Sequence, residues 1–311
     1  MMMNVKISGM GSALPKNTVR FSGNQRYRIS GDETHLDLLV ASARAALVDA
    51  QMTIADIDVI LAAVAVGLQP IPCTAVLVHE VISEGRQIPA FDINSTCTSF
   101  ITALDLMATQ IQVGRYQNVL IVSGDVASTA LNPNDKKSFE LFGDGATSMV
   151  ISKTDNQRQG VLLAHQLTNS KGAHDTEIVG GGTLLLPYQY SEAIKDKYQF
   201  HMSGKKVLAL ALKLGTDLFD QTLEMSGVAL EDISLVIPHQ ASPALSLMMK
   251  KLGISKAQYV NILADYGNMV SASVPFAFQW AIEQGKIQRG DLVLLMGTAA
   301  GLTGNSLLMR Y

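Results

Sequence analysis

The chain of 311 residues holds only two cysteines, Cys73 and Cys97, one tryptophan and nine prolines, and only 16% of its residues are charged. Each scarcity excludes something. Two distant cysteines cannot build the disulfide framework of a small secreted domain, and Met1-Met2-Met3-Asn4-Val5 opens no basic segment followed by an apolar run, so a cytoplasmic location is expected. With 24 Lys and Arg against 27 Asp and Glu, the net charge is -3 and the pI near 6.1, which gives no basic field for nucleic acid. The most apolar windows, Val59 to Val66 and Val293 to Met309, are too short for a bilayer or are broken by Gly297, Gly301, Gly304 and Asn305. They read as buried strands, and no membrane span is expected. His35, His79, His165, His174 and His201 show no metal-ligand spacing with cysteine or acid clusters, so neither a metal nor another cofactor is expected.

What is abundant is hydrophobic residues, 48% of the chain, enough for a large core in one big domain or two ordinary ones. Short apolar runs such as Val59-Ile60-Leu61, Val119 to Val122, Leu235-Val236-Ile237 and Val293-Leu294-Leu295 alternate with amphipathic stretches, the pattern of an α/β fold with a mainly parallel sheet. The order of elements repeats. A helix over Leu36 to Ala50 leads to Ala55-Asp56-Ile57-Asp58-Val59-Ile60, and a helix over Val207 to Ser226 leads to Glu231-Asp232-Ile233-Ser234-Leu235-Val236. Cys97 precedes a helix and the strand from Val119, as Asn268 precedes a helix and the strand from Leu292. A duplicated unit is expected, residues 1–158 and 159–311, divided at the polar stretch Asn156 to Gly160.

Cys97 lies in Asn94-Ser95-Thr96-Cys97-Thr98-Ser99, where an apolar strand gives way to an amphipathic run. A thiol at such a strand-to-helix turn meets unpaired N–H groups and the positive helix end, which are expected to favour thiolate and could hold an oxyanion. The alternative is a small buried hydrophobe, as free cysteines commonly are. His239, in Pro238-His239-Gln240-Ala241, follows a strand at the end where α/β sheets gather ligands; a satisfied core histidine is the alternative. Asn268, after Gly267, is by itself an ordinary turn residue. The order Cys, His, Asn also occurs in papain-like proteases, but the Cys-Gly-x-Cys-Trp signature is missing and the chain looks duplicated. Asp144, between Gly143 and Gly145, is expected to hold its turn together rather than act as an acid.

Four segments then come together: Ala90-Phe91-Asp92 through Cys97, Leu141-Phe142-Gly143-Asp144-Gly145-Ala146, Val236 to Ala241, and Gly267-Asn268 through Pro275. In this order and spacing the chain resembles the 3-oxoacyl-acyl-carrier-protein synthase III family of thiolase-like condensing enzymes over nearly its whole length. The resemblance implies a five-layer α-β-α-β-α fold of two duplicated halves, a homodimer, and Cys97, His239 and Asn268 meeting between the halves. It implies an acyl-Cys97 thioester, an oxyanion hole from the N–H groups of Cys97 and Ala300, and a malonyl-type thioester received by His239 and Asn268. Acyl and malonyl thioesters on acyl carrier protein or coenzyme A are the implied partners. By position, Ile71, Lys136, Phe142, Phe200, Gly204 and Ser242 bind substrate, with Ile71, Phe142 and Phe200 lining or gating the acyl pocket. Lys250 and Lys251 contact carrier protein or stand as solvated helix-end lysines.

Three segments depart from the family pattern. Thr18 to Leu36 is short and has no tryptophan-and-arginine motif for the nucleotide of coenzyme A; Trp280 lies elsewhere. Ser242-Pro243-Ala244 stands where many members have a basic residue, and the glycine motif reads Gly297-Thr298-Ala299-Ala300-Gly301. Two other readings stay open: acyl transfer to oxygen or nitrogen without decarboxylation, and a non-catalytic partner subunit, for which the intact Cys97, His239 and Asn268 set is superfluous.

Overall fold

The structure, a computed structural model, describes residues 2–311. The first half runs through β1 (Val5–Ala13), the hairpin β2 (Thr18–Phe21) and β3 (Asn24–Tyr27), α1 (His35–Asp49), β4 (Val59–Ala63), α2 (Thr74–Ile82), β5 (Ala90–Ile93), α3 (Ser99–Gln112), β6 (Asn118–Asp125), the single turn α4 (Lys136–Phe139) and β7 (Gly145–Lys153). The second half follows with β8 (Gly160–Thr168), β9 (Thr176–Glu177), β10 (His201–Met202), α5 (Gly204–Ser226), β11 (Leu235–Pro238), α6 (Leu245–Lys251), α7 (Leu263–Tyr266), α8 (Ser273–Glu283), β12 (Leu292–Ala299) and β13 (Thr303–Arg310).

Local chemistry sets the element ends. The Thr34 hydroxyl caps α1 by accepting from the N–H of Asp37, whose carboxylate accepts from the N–H of Thr34 in return. Helix α5 ends at Gly227, which takes a left-handed φ of 66° that a side chain would resist. The apolar window 293–309 is a hairpin, β12 pairing antiparallel with β13 around Ala300-Gly301-Leu302.

The two sheets have matching orders, β1-β7-β6-β4-β5 and β8-β13-β12-β11. Parallel pairs (β5 with β4 and β4 with β6 in the first, β11 with β12 in the second) continue into antiparallel neighbours, so the sheets are mixed where a mainly parallel sheet is expected from the sequence. A single parallel bridge from Val236 to Tyr259 stands where β5 pairs in the first sheet. Residues 154–159 connect β7 to β8, and there we propose the division between halves.

Strand alternation turns two faces of each sheet apolar. Val59, Leu61, Val119 and Ile121 of one sheet and Leu235, Ile237, Val293 and Leu295 of the other enclose α3 and α8 in a central core. The outward Ile60, Ala62, Leu120 and Val122 pack under α1 and α2, while Val236, Leu294 and Met296 pack under α5 and α6. Five layers, α-β-α-β-α, result. Among the described residues no helix is long and apolar enough to cross a membrane.

Candidate active site

The loops at the carboxyl ends of the parallel strands meet between the halves. Cys97 sits in a one-turn 3₁₀ segment, Thr96–Thr98, between β5 and α3; an equivalent turn, Val270–Ala272, leads into α8. The two turns pack against each other, and the Cys97 turn also packs against β12. Each opens on a non-glycine residue of left-handed backbone, Thr96 (φ 53°) and Val270 (φ 51°). In each, an asparagine two residues earlier accepts from that residue's N–H, Asn94 at 2.8 Å and Asn268 at 2.9 Å. Cys97 and Ser271 thus occupy corresponding positions in duplicated turns.

The N–H groups of Ala300 and of Cys97 itself are directed at the Cys97 thiol and draw its pKa down. They do not prevail. Cys97 keeps some accessible surface, but protein encloses the sulfur, and this burial, with the nearby Asp125 carboxyl, pushes the thiol from its ordinary 9.0 up to about 12. The expected bias toward thiolate is therefore corrected: the helix end and its N–H groups are there, and desolvation outweighs them.

His239 follows β11 directly and is 3% exposed. Its N–H donates to Met296 O at 2.8 Å, but its Nδ1 has no partner, so the imidazole is not a satisfied core histidine. Burial lowers its pKa from 6.5 to about 4, which leaves the ring neutral near pH 7. Gly297 gives it room: a Cβ there would stand 2.7 Å from the His239 Cβ and 3.3 Å from Cγ2 of Thr98, beside Cys97.

Asn268 is 5% exposed and held on four sides. Its backbone N–H donates to Leu141 O and its carbonyl accepts from Gly143 N–H, while its Nδ2 donates to Ala241 O at 3.2 Å. With Oδ1 occupied by Val270 N–H, the amide orientation is fixed and one Nδ2 hydrogen remains free. Gly267 precedes it at φ 75°, where a Cβ would meet Arg26 and the Leu141 carbonyl.

Phe142 and Phe200 also come together, edge to face with centroids 4.9 Å apart, and Phe142 bridges to Asn268. Ser242 is half-buried three residues after His239. The remaining positions lie at the surface of the single chain. Ile71 is 85% exposed, Gly204 begins α5, Lys136 pairs with Glu140 at 3.7 Å, and Lys250 and Lys251 end α6. Asp144 holds its turn, its carboxylate accepting from the N–H of Ile29 and from both the N–H and hydroxyl of Ser128.

Asp125, buried at the end of β6, escaped the sequence reading. Its signal was present: a carboxylate closing the strand that begins with the apolar run Val119 to Val122, in the same sheet as the strand before Cys97. No group of three or more histidine, cysteine or acidic residues placed to hold a metal occurs among the described residues.

Residues 91–170 and 223–311 match the two families described as 3-oxoacyl-[acyl-carrier-protein (ACP)] synthase III and its C-terminal part. The beta-ketoacyl-[acyl-carrier-protein] synthase III of Clostridium perfringens strain SM101 is 32% identical over 99% of this chain and 100% of its own. That of Aquifex aeolicus is 31% identical over the same shares, and the crystal structure of the 3-oxoacyl-[acyl-carrier-protein] synthase III from that organism superposes with a TM-score of 0.87 at 28% identity, covering 99% of this chain and 100% of that one. A histidine-to-alanine variant of OleA from Xanthomonas campestris shares the fold at 20% identity and a TM-score of 0.86 over the full length of both chains.

Proposed function

Because the chain belongs to the 3-oxoacyl-[acyl-carrier-protein] synthase III family of thiolase-like condensing enzymes, we propose that it takes an acyl group onto Cys97 and condenses it decarboxylatively with a malonyl-type thioester to give a 3-oxoacyl product. The observation that carries this reading is a pair of neutral donors: the free Nδ2 hydrogen of Asn268, whose turn packs on the Cys97 turn, and the His239 imidazole, set beside Thr98 across Gly297.

The Cys97 sulfur attacks the donor's carbonyl carbon, and the oxyanion is received by the N–H groups of Cys97 and Ala300, already directed at the sulfur. The tetrahedral intermediate collapses, the carrier thiol leaves with a proton, and acyl-Cys97 remains. The malonyl-type thioester then presents its carbonyl oxygen to His239 and Asn268. As carbon dioxide leaves, the electron pair of the broken bond forms an enolate whose oxygen these donors stabilise. Neutral donors suit the step because they hold the developing charge without first protonating the carbon. The enolate carbon attacks the acyl carbon, the carbon–sulfur bond breaks, and Cys97 departs as a thiolate that takes a proton from water to restore the thiol.

Carrier-protein thioesters are the proposed donors. Of the three arginines of the shortened N-terminal segment, Arg20 is exposed on β2 and the other two are engaged inside the fold: Arg26 donates to the carbonyls of Glu140, Ala264 and Gln25, and Arg28 lies over the rings of Phe21 and Phe139. Neither of these two is offered to a nucleotide phosphate. Lys250 and Lys251, with Lys256 nearby, present positive charge to an acidic carrier. Ile71, Phe142, Phe200, Gly204, Ser242 and Lys136 complete the proposed substrate contacts, and the exposed edge strand β5 the proposed homodimer contact.

Incubation with acyl thioesters on carrier protein and on coenzyme A, followed by intact mass and peptide mapping, tests the covalent step. An acyl adduct on Cys97, larger from carrier protein and lost in Cys97→Ala, is expected. No adduct from any donor would refute the reading, and a preference for coenzyme A would remove the carrier assignment alone.

A further inference from the structure

Asp125 is the charged group that the chemistry above leaves unused. It is 2% exposed and ends β6, the central strand of the first sheet. Its Oδ1 accepts from the N–H of Val66 at 3.0 Å and of Ala65 at 3.2 Å, both in the loop after β4. Its Oδ2 accepts from the N–H of Ser271 at 3.1 Å and from the Ser271 hydroxyl at 2.5 Å. The carboxyl is thus an acceptor in every bond it makes: Oδ1 serves the first half alone, and Oδ2 joins the halves, since it also accepts from Ala65 N–H at 3.3 Å. Ser271 stands three residues after Asn268, and Ala65 O receives the side chain of Asn94, three residues before Cys97.

We propose that Asp125 is a positioning residue for condensation, its carboxylate tying the turn that carries Asn268, through Ser271, to the first-half loop that supports the Cys97 turn. The inference rests on the role given above to Asn268. The tie adds a charged link to the bonds that already cross between the halves here, Asn268 with Leu141 and Gly143 and Asn305 with Thr98. Val270 and Thr96, both left-handed without being glycine, are the residues such a tie must hold.

The same geometry brings the carboxyl to the thiol. Burial raises the Asp125 pKa, while the His35 charge and the bonds from Ser271 and Val66 lower it, and its negative charge contributes to the upward shift at Cys97. The titratable groups that face it are His35 on α1, whose Nε2 lies 3.0 Å from Gly124 O, and Cys97. From β7 it faces the backbone of Gly145, from the loop after β4 two N–H groups, and from the second half Ser271.

The test compares the parent with Asp125→Asn and Ser271→Ala, each checked for an unchanged circular-dichroism spectrum. An amide at 125 keeps the volume but has a single acceptor oxygen, so its NH2 must face either the Ser271 donors or the N–H groups of Ala65 and Val66. Condensation is expected to fall about 10- to 100-fold in Asp125→Asn, as loss of a charge-assisted bond implies, with self-acylation of Cys97 within about threefold. The pH midpoint of Cys97 alkylation by iodoacetamide should move down by about one unit, since a neighbouring negative charge is gone. Alkylation needs no acyl donor, so this arm reads Asp125 even if the proposed reaction is wrong. Equal loss of both catalytic steps, or an unmoved midpoint in a folded Asp125→Asn protein, overturns the proposal. If Asp125→Asn does not fold, Ser271→Ala decides: a condensation loss of about fivefold or more with self-acylation preserved supports it, and no selective loss overturns it.

Discussion

Burial acts on Cys97 and His239 in opposite directions, raising the thiol to about 12 and lowering the imidazole to about 4, so that both are neutral at pH 7. For His239 this has a measurable cost in acid. The unfolded imidazole binds a proton near 6.5 and the folded one does not until about 4, so its contribution to stability is complete above 6.5 and is lost as pH falls through that window. At pH 5 the loss is about 2 kcal/mol. Urea unfolding of the parent and of His239→Gln at pH 7.5 and pH 5 should show that the substitution removes about 2 kcal/mol of the acid destabilisation; equal pH dependence in both proteins would contradict a buried neutral histidine. In catalysis, His239→Ala and Asn268→Ala should each depress condensation about 100- to 1000-fold while self-acylation of Cys97 persists, read by product formation against intact mass. Equal loss of both steps would count against their role as donors to the enolate.

At the scale of elements, β12 is where site and scaffold compete for space. Alanine for glycine at an open strand position with compatible backbone gains about 0.4–1 kcal/mol, but at Gly297 the added methyl would lie 2.7 Å from the His239 Cβ. Gly297→Ala is therefore expected to cost about 1–3 kcal/mol in urea unfolding and to lower condensation at least about tenfold by displacing the imidazole. A stable, fully active variant would show that the ring does not depend on this gap. Much of this was legible in the sequence because it is written in apolar runs: the short unbroken runs Val59 to Ala63 and Leu235 to Pro238 specify strands buried on both faces, and the strand-to-helix turns at Cys97 and Asn268 follow from where apolar runs stop. Asp125 and Ser271 were not legible as a pair, because 146 residues separate them and only the packing of the two halves makes them neighbours. The protonation of Cys97 was misread for a related reason. Helix-end polarity is a local property visible in sequence, whereas desolvation depends on everything that surrounds the sulfur.

For the whole molecule, the first sheet ends in an unpaired strand, β5, whose Phe91 is 37% exposed, and the neighbouring α2 exposes Val76 and Val81. An edge of this kind invites pairing with a second copy, and a charge on it discourages that. If the proposed homodimer uses this edge, the parent should sediment as a dimer and Phe91→Asp as a monomer with its circular-dichroism spectrum retained; an unchanged dimer would place the interface elsewhere, and a monomeric parent would remove the proposed homodimer.

The paired turns, Asn94 to Cys97 and Asn268 to Ser271, share a left-handed residue, an asparagine brace and a place before a helix. The geometry is duplicated but the side chains are not: one copy presents the Cys97 sulfur and its counterpart the Ser271 hydroxyl, bound to the Asp125 carboxylate. A division of labour between twin loops has this consequence: neither half can be exchanged for a duplicate of the other without losing either the nucleophile or the groups that serve it.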